Sequence, residues 1–338
     1  MNLEHLCKNT KKTLRSPNRF WGFLCIYLRL KVLGMNLERK IEKRQHSLLK
    51  KENANLFFIV GIALFVLYYA ILFVYPLLIA MIRSFYDWNP LKGTQEYSGL
   101  DNYIDLFRNP LFFISLKNTI IFTTLAVIGR VALSLLISLG LVSITKGRDF
   151  LRGTFFLPVI MPIVAVSIIW LWVYHPQAGL LNMFLDMFGI EKQLFLKSPT
   201  QALYSVIVMV IWKDVGYSVI IFTAGLLGVP QNLKEASWID GANRRQTFFA
   251  VTLPAIMPTF TFVLITAMIS YFQSFVEIFI LTGGGPGTST YVISYLIFNE
   301  AFKVFNFGYA SAISVILFTL ITIITVIQLK LLQKGNEE

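Results

Sequence analysis

Glu235-Ala236-Ser237-Trp238-Ile239-Asp240-Gly241-Ala242 is a short polar island between two long apolar runs, residues 201–228 and 255–282. Each run exceeds the roughly 20 predominantly apolar residues that a helix needs to cross the hydrocarbon core of a membrane. A loop fixed between two such helices can pass movement between the membrane and a soluble partner. The rest of the chain must then contain further spans.

The composition indicates a membrane protein with several spans. The chain has 338 residues, of which 56% are hydrophobic and only 14% are charged, and a soluble domain of this size cannot bury so much apolar surface. We therefore predict an all-α polytopic membrane protein with six transmembrane helices and a cytoplasmic helix–turn–helix loop at residues 229–254. The predicted spans are roughly 56–82, 112–142, 150–174, 201–228, 255–282 and 308–330.

The distribution of Lys and Arg gives the direction of these spans. With the N-terminus inside, the inner segments hold 21 Lys and Arg residues and the outer segments hold 6, with Lys330 counted in the tail. Because basic residues accumulate on the cytoplasmic side of a membrane protein, both termini and residues 229–254 are predicted to be cytoplasmic. We expect the chain in the cytoplasmic membrane of a bacterium.

Residues 1–55 form a basic N-terminal extension. They carry 13 basic and 4 acidic residues, which supply +9 of the formal net charge of +12. Beside a first membrane helix, such charge orients the protein and contacts anionic lipid, so nucleic acid is not expected as a partner. The tetrapeptide Met1-Asn2-Leu3-Glu4 recurs as Met35-Asn36-Leu37-Glu38. Our hypothesis is that translation starts at Met35 and that residues 1–34 are a start-site artefact.

Local signals predict two short helices within residues 229–254. The first runs from about Gln231 to Ile239 and stops at Asp240-Gly241, because glycine accepts the left-handed conformation that ends helices. The second occupies about 243–251 and ends before Pro254, which disfavours helix in the residue before it. Two helices around a glycine turn form a rigid knob that fits a partner's groove. Taken alone, the same pattern also describes an ordinary solvated connection.

A longer series of motifs resembles the sugar-transport permeases of ABC importers, of the maltose and glycerol-3-phosphate type. The resemblance covers about residues 56–335, the expected permease domain; Ser237 replaces the second alanine of the family's motif, and residues 1–34 have no counterpart. The matching motifs are Gly99-Leu100-Asp101-Asn102-Tyr103, Trp212-Lys213-x-x-Gly216-Tyr217, Ala224-Gly225-Leu226, Pro230, Glu235-Ala236, Asp240-Gly241-Ala242, Phe248-Phe249, Thr252-Leu253-Pro254 and Leu281-Thr282-Gly283-Gly284-Gly285-Pro286-Gly287.

The resemblance implies one half of a permease heterodimer. In such importers a cytoplasmic ABC ATPase dimer docks on the loop, and an extracellular solute-binding protein delivers the substrate. The chain has no G-x-x-x-x-G-K-[ST] motif, so ATP and Mg are expected in the ATPase subunit and no cofactor is expected in this chain. The residues that the resemblance assigns to ATPase coupling are Glu235, Ala236, Asp240, Gly241, Leu253 and Pro254.

Polar residues within the fourth and fifth predicted spans mark a candidate substrate pathway, because such residues are costly in a membrane unless they line a cavity or pair. On a continuous fifth helix, the polar candidates share an arc of about 100°, with Tyr271 at its edge. The same side chains could instead seal one helix against another, and Lys213 could pair with a carboxylate. The candidates are Ser270, Tyr271, Gln273, Ser274 and Glu277 on the fifth span and Lys213, Gly216 and Tyr217 on the fourth.

We therefore predict a permease subunit that imports a carbohydrate of the oligosaccharide or multiple-sugar type. The first alternative is glycerol 3-phosphate or a polyol as cargo, which Arg130 and Lys213 would favour if they faced the pathway. The second is an ion-coupled secondary transporter that uses Glu277 or Asp214. No enzymatic activity and no metal site are expected, since G-x-S-x-G and H-E-x-x-H are absent and the three histidines are scattered.

Overall fold

The computed structural model describes residues 52–144 and 146–334. Our predictions for most of the N-terminal extension, including the start at Met35, lie outside the described residues. Contacts divide the chain after Pro76 into two units. In its described part, the first unit consists of α1 (Glu52–Tyr69) and a π-helical turn, Ala70–Val74. The π-helical turn lies just before Pro76, which has no N–H to donate to the helical hydrogen-bond ladder.

From Tyr75 onward the described chain is helical apart from one short hairpin and the connecting loops. The hairpin pairs β1 (Tyr86–Asn89) with β2 (Thr94–Tyr97) in antiparallel register, with Tyr86 opposite Tyr97. In chain order the elements are α2 (Tyr75–Arg83), β1 (Tyr86–Asn89), β2 (Thr94–Tyr97), α3 (Asp101–Arg108), α4 (Pro110–Ser143), α5 (Arg148–Ile160), α6 (Ile163–Val173), α7 (Leu180–Asp186), a 3-10 turn (Phe195–Lys197), α8 (Ala202–Leu227), α9 (Gln231–Ile239), α10 (Arg244–Thr247), a π turn (Phe248–Thr252), α11 (Leu253–Ala255), α12 (Met257–Phe272), α13 (Val276–Leu281), α14 (Ile293–Phe302) and α15 (Phe307–Lys334).

Four continuous helical segments among the described residues are long and apolar enough to cross a membrane: Phe58–Arg83, Pro110–Ser143, Ala202–Leu227 and Phe307–Lys330. Two further helix pairs qualify only when each pair is taken as one bent span, which gives the predicted six. The all-α, six-span fold class is therefore confirmed. The hairpin in the first long connection is a small departure that we did not predict.

The third predicted span, 150–174, is wrong as a continuous helix. α5 and α6 meet at an angle of 95°, and the break lies at Met161 and Pro162. Proline cannot donate a backbone hydrogen bond and holds the preceding residue in an extended conformation, and Met161 indeed has φ −72° and ψ 137°. The bend therefore follows from Pro162.

The fifth predicted span, 255–282, is also wrong as a continuous helix. The segment Arg244–Ala255 meets α12 at 69°, with Ile256 at the corner. At the other end, α12 stops at Phe272, and Gln273, Ser274 and Phe275 lie outside regular helix before α13 begins. The polar residues of this region therefore sit around a helix break.

The main core lies where α4, α8 and α12 pack together, with α6 and α13 adding to one side. α8 packs most extensively, against both α4 and α5. Fully buried side chains from each helix meet there, among them Phe122, Met209, Phe222 and Ala267. A second cluster joins the start of α4 to α14 and α15. This packing holds the middle of α4, α8 and α12 together around the polar residues described next.

Candidate functional site

The predicted knob at residues 229–254 has a helix with the predicted bounds. α9 spans Gln231–Ile239, and Gly241 follows it with φ +83°, the left-handed conformation that glycine adopts without strain. α10 begins with a capping box in which the Asn243 side chain accepts from the Gln246 backbone N–H and Gln246 Oε1 accepts from the Asn243 N–H. Each helix end is thus closed by local hydrogen bonds.

Ser237 joins the two helices of the knob. Its Oγ lies 2.9 Å from Thr247 Oγ1, and the Ala242 N–H donates to the Ser237 carbonyl. Thr247 is buried. The residue that departs from the family's alanine therefore makes a hydrogen bond that alanine cannot make, and this bond links α9 to α10.

The knob is attached to the bundle through its two ends. Val229 and Ile256 are buried in a small apolar cluster with Leu226, and Leu253 packs against it together with Leu139 of α4. The prediction that the second helix ends before Pro254 is wrong, because a π turn and α11 carry the helical path through Pro254 to Ala255. Proline is tolerated here because it lies in the first turn of α11.

The outer surface of the knob combines charge with apolar side chains. Glu235, Ala236 and Asp240 are exposed, and Trp238 and Ile239 are 49% and 86% exposed. Exposed large apolar side chains rimmed by charge are the usual signature of a protein-binding surface. In residues 52–144 and 146–334, no side chain covers Trp238 or Ile239.

A second group of polar residues lies in the middle of the bundle around Arg130 of α4. Arg130 is only 5% exposed, and its Nε donates to Ser218 Oγ of α8 over 2.8 Å. The guanidinium carbon lies 5.6 Å from the ring centre of Tyr217 and 5.7 Å from that of Tyr271. One cation thus contacts α8 and α12 through a hydrogen bond and two aromatic faces.

The other charges of this region come from α8 and α13. Lys213 Nζ lies 3.3 Å from Asp214 Oδ1, and both side chains are largely buried. Glu277 is buried and lies within electrostatic range of both residues. The Tyr271 hydroxyl lies near Asp214 and Arg130 but has no hydrogen-bond partner in the described part of the chain. The group therefore contains two cations and two carboxylates.

Comparison with known proteins identifies the family. Residues 131–336 match the family described as binding-protein-dependent transport system inner membrane component. The chain belongs to this family. The multiple sugar-binding transport system permease protein MsmF of Streptococcus mutans (serotype c, strain ATCC 700610 / UA159) is 33% identical over 264 residues, which covers 78% of this chain and 91% of the relative. The probable ABC transporter permease protein YurN of Bacillus subtilis (strain 168) is 30% identical over 273 residues, covering 79% and 94%.

A further relative agrees with this membership, and a solved structure shares the fold. The sn-glycerol-3-phosphate transport system permease protein UgpA of Escherichia coli (strain UTI89 / UPEC) is 29% identical over 261 residues, covering 77% of this chain and 88% of the relative. A chain of a bacterial ABC transporter involved in the import of the acidic polysaccharide alginate has a TM-score of 0.71 at 22% identity, covering 85% and 98%. That structure bears on the fold alone. The chain is an ABC-transporter permease with several membrane-spanning helices.

In this permease the polar residues of the fifth span do not lie on one face of a continuous helix, although the sequence predicted that they would. That prediction required a continuous helix, and α12 ends at Phe272. Ser270 and Gln273 are exposed, whereas Ser274 and Glu277 are buried. Tyr271 and Glu277 each lie within electrostatic range of Asp214, which pairs with Lys213, whereas Ser270 and Gln273 lie at the surface of the chain. Their assignment to a substrate pathway stays a prediction.

Gly216 of the permease has a packing contact that the sequence did not reveal. A Cβ atom at this position would overlap the carbonyl oxygen of Phe155, so glycine lets α8 approach the backbone of α5. Tyr217, next to it, is 39% exposed and turns one ring face to Arg130. Its proposed contact with substrate stays a prediction as well.

Sequence reasoning missed the contribution of Ser218 and of Thr247. Serine and threonine are common in helices, so no local signal separates a hydrogen-bonding hydroxyl from one that bonds its own backbone. Arg130 was visible as a charge within a span, but its neighbours depend on the rotation of three helices. No group of three His, Cys, Asp or Glu residues that could hold a metal occurs in residues 52–144 and 146–334.

Proposed function

We propose that this permease imports a carbohydrate, of the oligosaccharide or multiple-sugar type, by alternating access. The names of relatives support this cargo: the S. mutans protein belongs to a multiple-sugar system, and SmoG of Agrobacterium fabrum (strain C58 / ATCC 33970) to a sulfoquinovosyl glycerol system. ATP and Mg would be bound by a separate ATPase dimer, and a solute-binding protein would deliver the sugar. The chain itself would carry out no chemical reaction.

The observation that carries the proposal is the polar helix break at Gln273–Phe275. Within the break Gln273 is exposed and Ser274 is buried; exposed Ser270 precedes the break on α12, and buried Glu277 follows it on α13. Within a membrane, exposed amide and hydroxyl groups next to broken helix are tolerated where they line a cavity. Such groups can hydrogen-bond sugar hydroxyls, and the half-exposed ring of Tyr217 can stack on a sugar face.

A phosphate-bearing cargo is less well supported by the two intramembrane cations. Arg130 is 95% inaccessible and already contacts Ser218 and two rings, and Lys213 is paired with Asp214. Neither is free to neutralise a phosphate group in this arrangement. A secondary transporter is not favoured either, because the chain belongs to a binding-protein-dependent family.

The knob would carry force from the ATPase to the spans. Glu235 and Asp240 would pair with cations of the ATPase, Ala236 and Gly241 would allow close approach, and Leu253-Pro254 would hold the knob to the bundle. Because Leu253 and Val229 pack on the ends of α4 and α8, a shift of the knob moves both helices. A second homologous permease would complete the pathway as a heterodimer, with both termini of this chain in the cytoplasm.

Uptake of labelled sugars tests this function. Cells that express the whole importer, with and without this chain, are supplied with labelled substrate in the presence of competing sugars and glycerol 3-phosphate. We expect uptake to require the chain and to be reduced by one class of sugar. Competition by glycerol 3-phosphate alone would contradict the proposal that the cargo is a carbohydrate. Uptake that survives ATP depletion and stops when the proton gradient collapses would overturn the mechanism.

A further inference from the structure

The short helix α3 has three distinct faces. The first face contacts protein: Asn102 Nδ2 donates to the carbonyl oxygens of Ser84 and Tyr86 over 2.9 and 3.0 Å, and Leu106 is completely buried in the cluster beside α15. Tyr103 adds to this face through its hydroxyl, which lies 2.8 Å from Ser84 Oγ. These contacts fix the rotation of α3 about its own axis.

The other two faces separate charge from apolar surface. At 100° per residue, Asp101, Asp105 and Arg108 fall within about 60° of one another, and all three are exposed. Leu100, Ile104 and Phe107 form a separate stripe about 60° wide, and they are 61%, 45% and 57% exposed. Three large apolar side chains therefore project from the chain next to a charged face and away from the protein core.

The position of α3 is set by the span that follows it. Only Asn109 separates α3 from α4, and its Oδ1 accepts from the Leu111 N–H over 2.9 Å, so it caps the span. Its Nδ2 donates to the Tyr309 hydroxyl of α15 over 3.0 Å. A single extended residue spans at most about 3.6 Å along the chain, so the end of α3 must lie close to the start of α4. The helix α3 thus lies at the level where the membrane-spanning helix α4 begins.

The apolar stripe of α3 continues onto α4. Phe113 and Ile114, in the first turn of the span, are 50% and 38% exposed, and the Phe107 ring meets the Phe112 ring edge-on at 6.0 Å. The guanidinium of Arg83, the last residue of α2, lies 4.9 Å from the ring of Trp88 on the neighbouring hairpin. Trp and Tyr next to Arg at the end of a span are typical of the membrane–water interface.

We infer that α3 is an amphipathic helix seated in the lipid headgroup region. Leu100, Ile104 and Phe107 insert into the acyl boundary, Asp101, Asp105 and Arg108 face water, and Asn102 and Leu106 fasten the helix to the bundle. The leaflet is the one at the end of the bundle opposite residues 229–254, which is the outer leaflet in the orientation proposed above. The inference requires only that α4 spans the membrane, and it is independent of the cargo.

Fluorescence quenching in lipid nanodiscs tests the seating of α3. Cys7 and Cys25 are replaced by serine, and single cysteines are introduced as Ile104→Cys, Phe107→Cys, Asp101→Cys and Asp105→Cys in the full importer. Each is labelled with an environment-sensitive bimane. Quenching is then measured with phospholipids brominated near the headgroup and, separately, with iodide in the buffer. All four positions are exposed on one helix, so the two aspartates are matched controls.

We expect labels at 104 and 107 to be quenched by brominated lipid at least about twofold more than labels at 101 and 105, and the reverse with iodide. Equal iodide quenching at all four positions would overturn the inference. So would labels at 104 and 107 that are open to iodide until the solute-binding protein is added, because the stripe would then be a protein-docking surface. The ATPase rate of each labelled importer reports whether it is assembled.

Discussion

Arg130 of α4 contacts both α8 and α12 in the middle of the bundle. It carries a full charge at 5% exposure, and its satisfied contacts are Ser218 Oγ at 2.8 Å and two tyrosine rings. A buried cation is tolerated only when its hydrogen-bonding and charge requirements are met nearby. Arg130 therefore links α4 to both α8 and α12.

Replacing Arg130 by methionine should destabilise the permease. Loss of the hydrogen bond to Ser218 and of the two cation–π contacts is expected to cost about 2–3 kcal/mol, which lowers the melting temperature of the purified importer. Lys117→Met, on an exposed position of the same helix, is the matched control and should leave it unchanged. An unchanged melting temperature in Arg130→Met would show that this link contributes little.

Gly216→Ala should disrupt the packing of α8 on α5. Alanine is normally the better helix former by up to about 1 kcal/mol, but here its Cβ overlaps the Phe155 carbonyl oxygen, and overpacking costs about 1–3 kcal/mol. We expect a lower melting temperature and reduced uptake. Gly140→Ala, where a Cβ meets nothing within 4 Å, should be neutral or slightly stabilising. Equal behaviour of the two variants would contradict the packing role.

Gln273→Ala tests the pathway at a single side chain. If Gln273 hydrogen-bonds the sugar in every state, its loss removes about 1 kcal/mol of binding, so the substrate concentration for half-maximal uptake should rise about three- to tenfold at a similar maximal rate. Gln177→Ala, an exposed glutamine between α6 and α7, is the control. If the substrate concentration for half-maximal uptake did not change, Gln273 would not contact the substrate.

At the scale of helices, local signals predicted some elements well and others not at all. The bounds of α9 follow from Pro230 before it and Asp240-Gly241 after it, which act within a few residues. The α5–α6 bend also has a local cause in Pro162. Apolar composition alone does not reveal this bend, because the residues on both sides of it are apolar and predict one continuous span. The break at Gln273–Phe275 contains neither proline nor glycine, so no such local signal marks it in the sequence; in the structure α12 packs against α4 and α13 against α6.

Glu235→Ala should separate ATP hydrolysis from transport. Glu235 is exposed on α9, where its carboxylate is available to a cation of the ATPase, and the knob that carries it is internally closed by Ser237, Asn243 and Gln246. The variant should therefore keep its fold while uptake in proteoliposomes falls at least about tenfold, as expected when one partner of a charge pair is removed. Uptake at the wild-type rate in Glu235→Ala would contradict a role of Glu235 in coupling.

Two controls make the result on Glu235 specific. Glu191→Ala removes an exposed carboxylate from the connection after α7 and should leave uptake intact. Ser237→Ala breaks the bond to Thr247 and should cost about 1 kcal/mol, loosening the knob without changing its charge. Measuring the ATPase rate of each assembled importer distinguishes a weakened docking from an uncoupled cycle.

For the whole molecule, composition was enough to predict the number of spans, because apolar length is a property of each segment by itself. The neighbours of Arg130, the seating of α3 and the contact between Gly216 and Phe155 were out of reach, since they depend on how helices distant in sequence are rotated toward one another. Charge asymmetry is different again: it predicts the direction of the entire bundle from residues that make few contacts.

That direction can be measured at two sites of opposite expected exposure. With Cys7 and Cys25 replaced by serine, Glu191→Cys should react with a membrane-impermeant maleimide in intact cells, whereas Lys146→Cys should react only after the cells are permeabilised. Both positions are exposed on the chain, so reactivity reports the side of the membrane. The expectation rests on the ratio of 21 to 6 basic residues. The opposite labelling pattern would place residues 229–254 outside, away from ATP, and would overturn the coupling proposal together with the orientation.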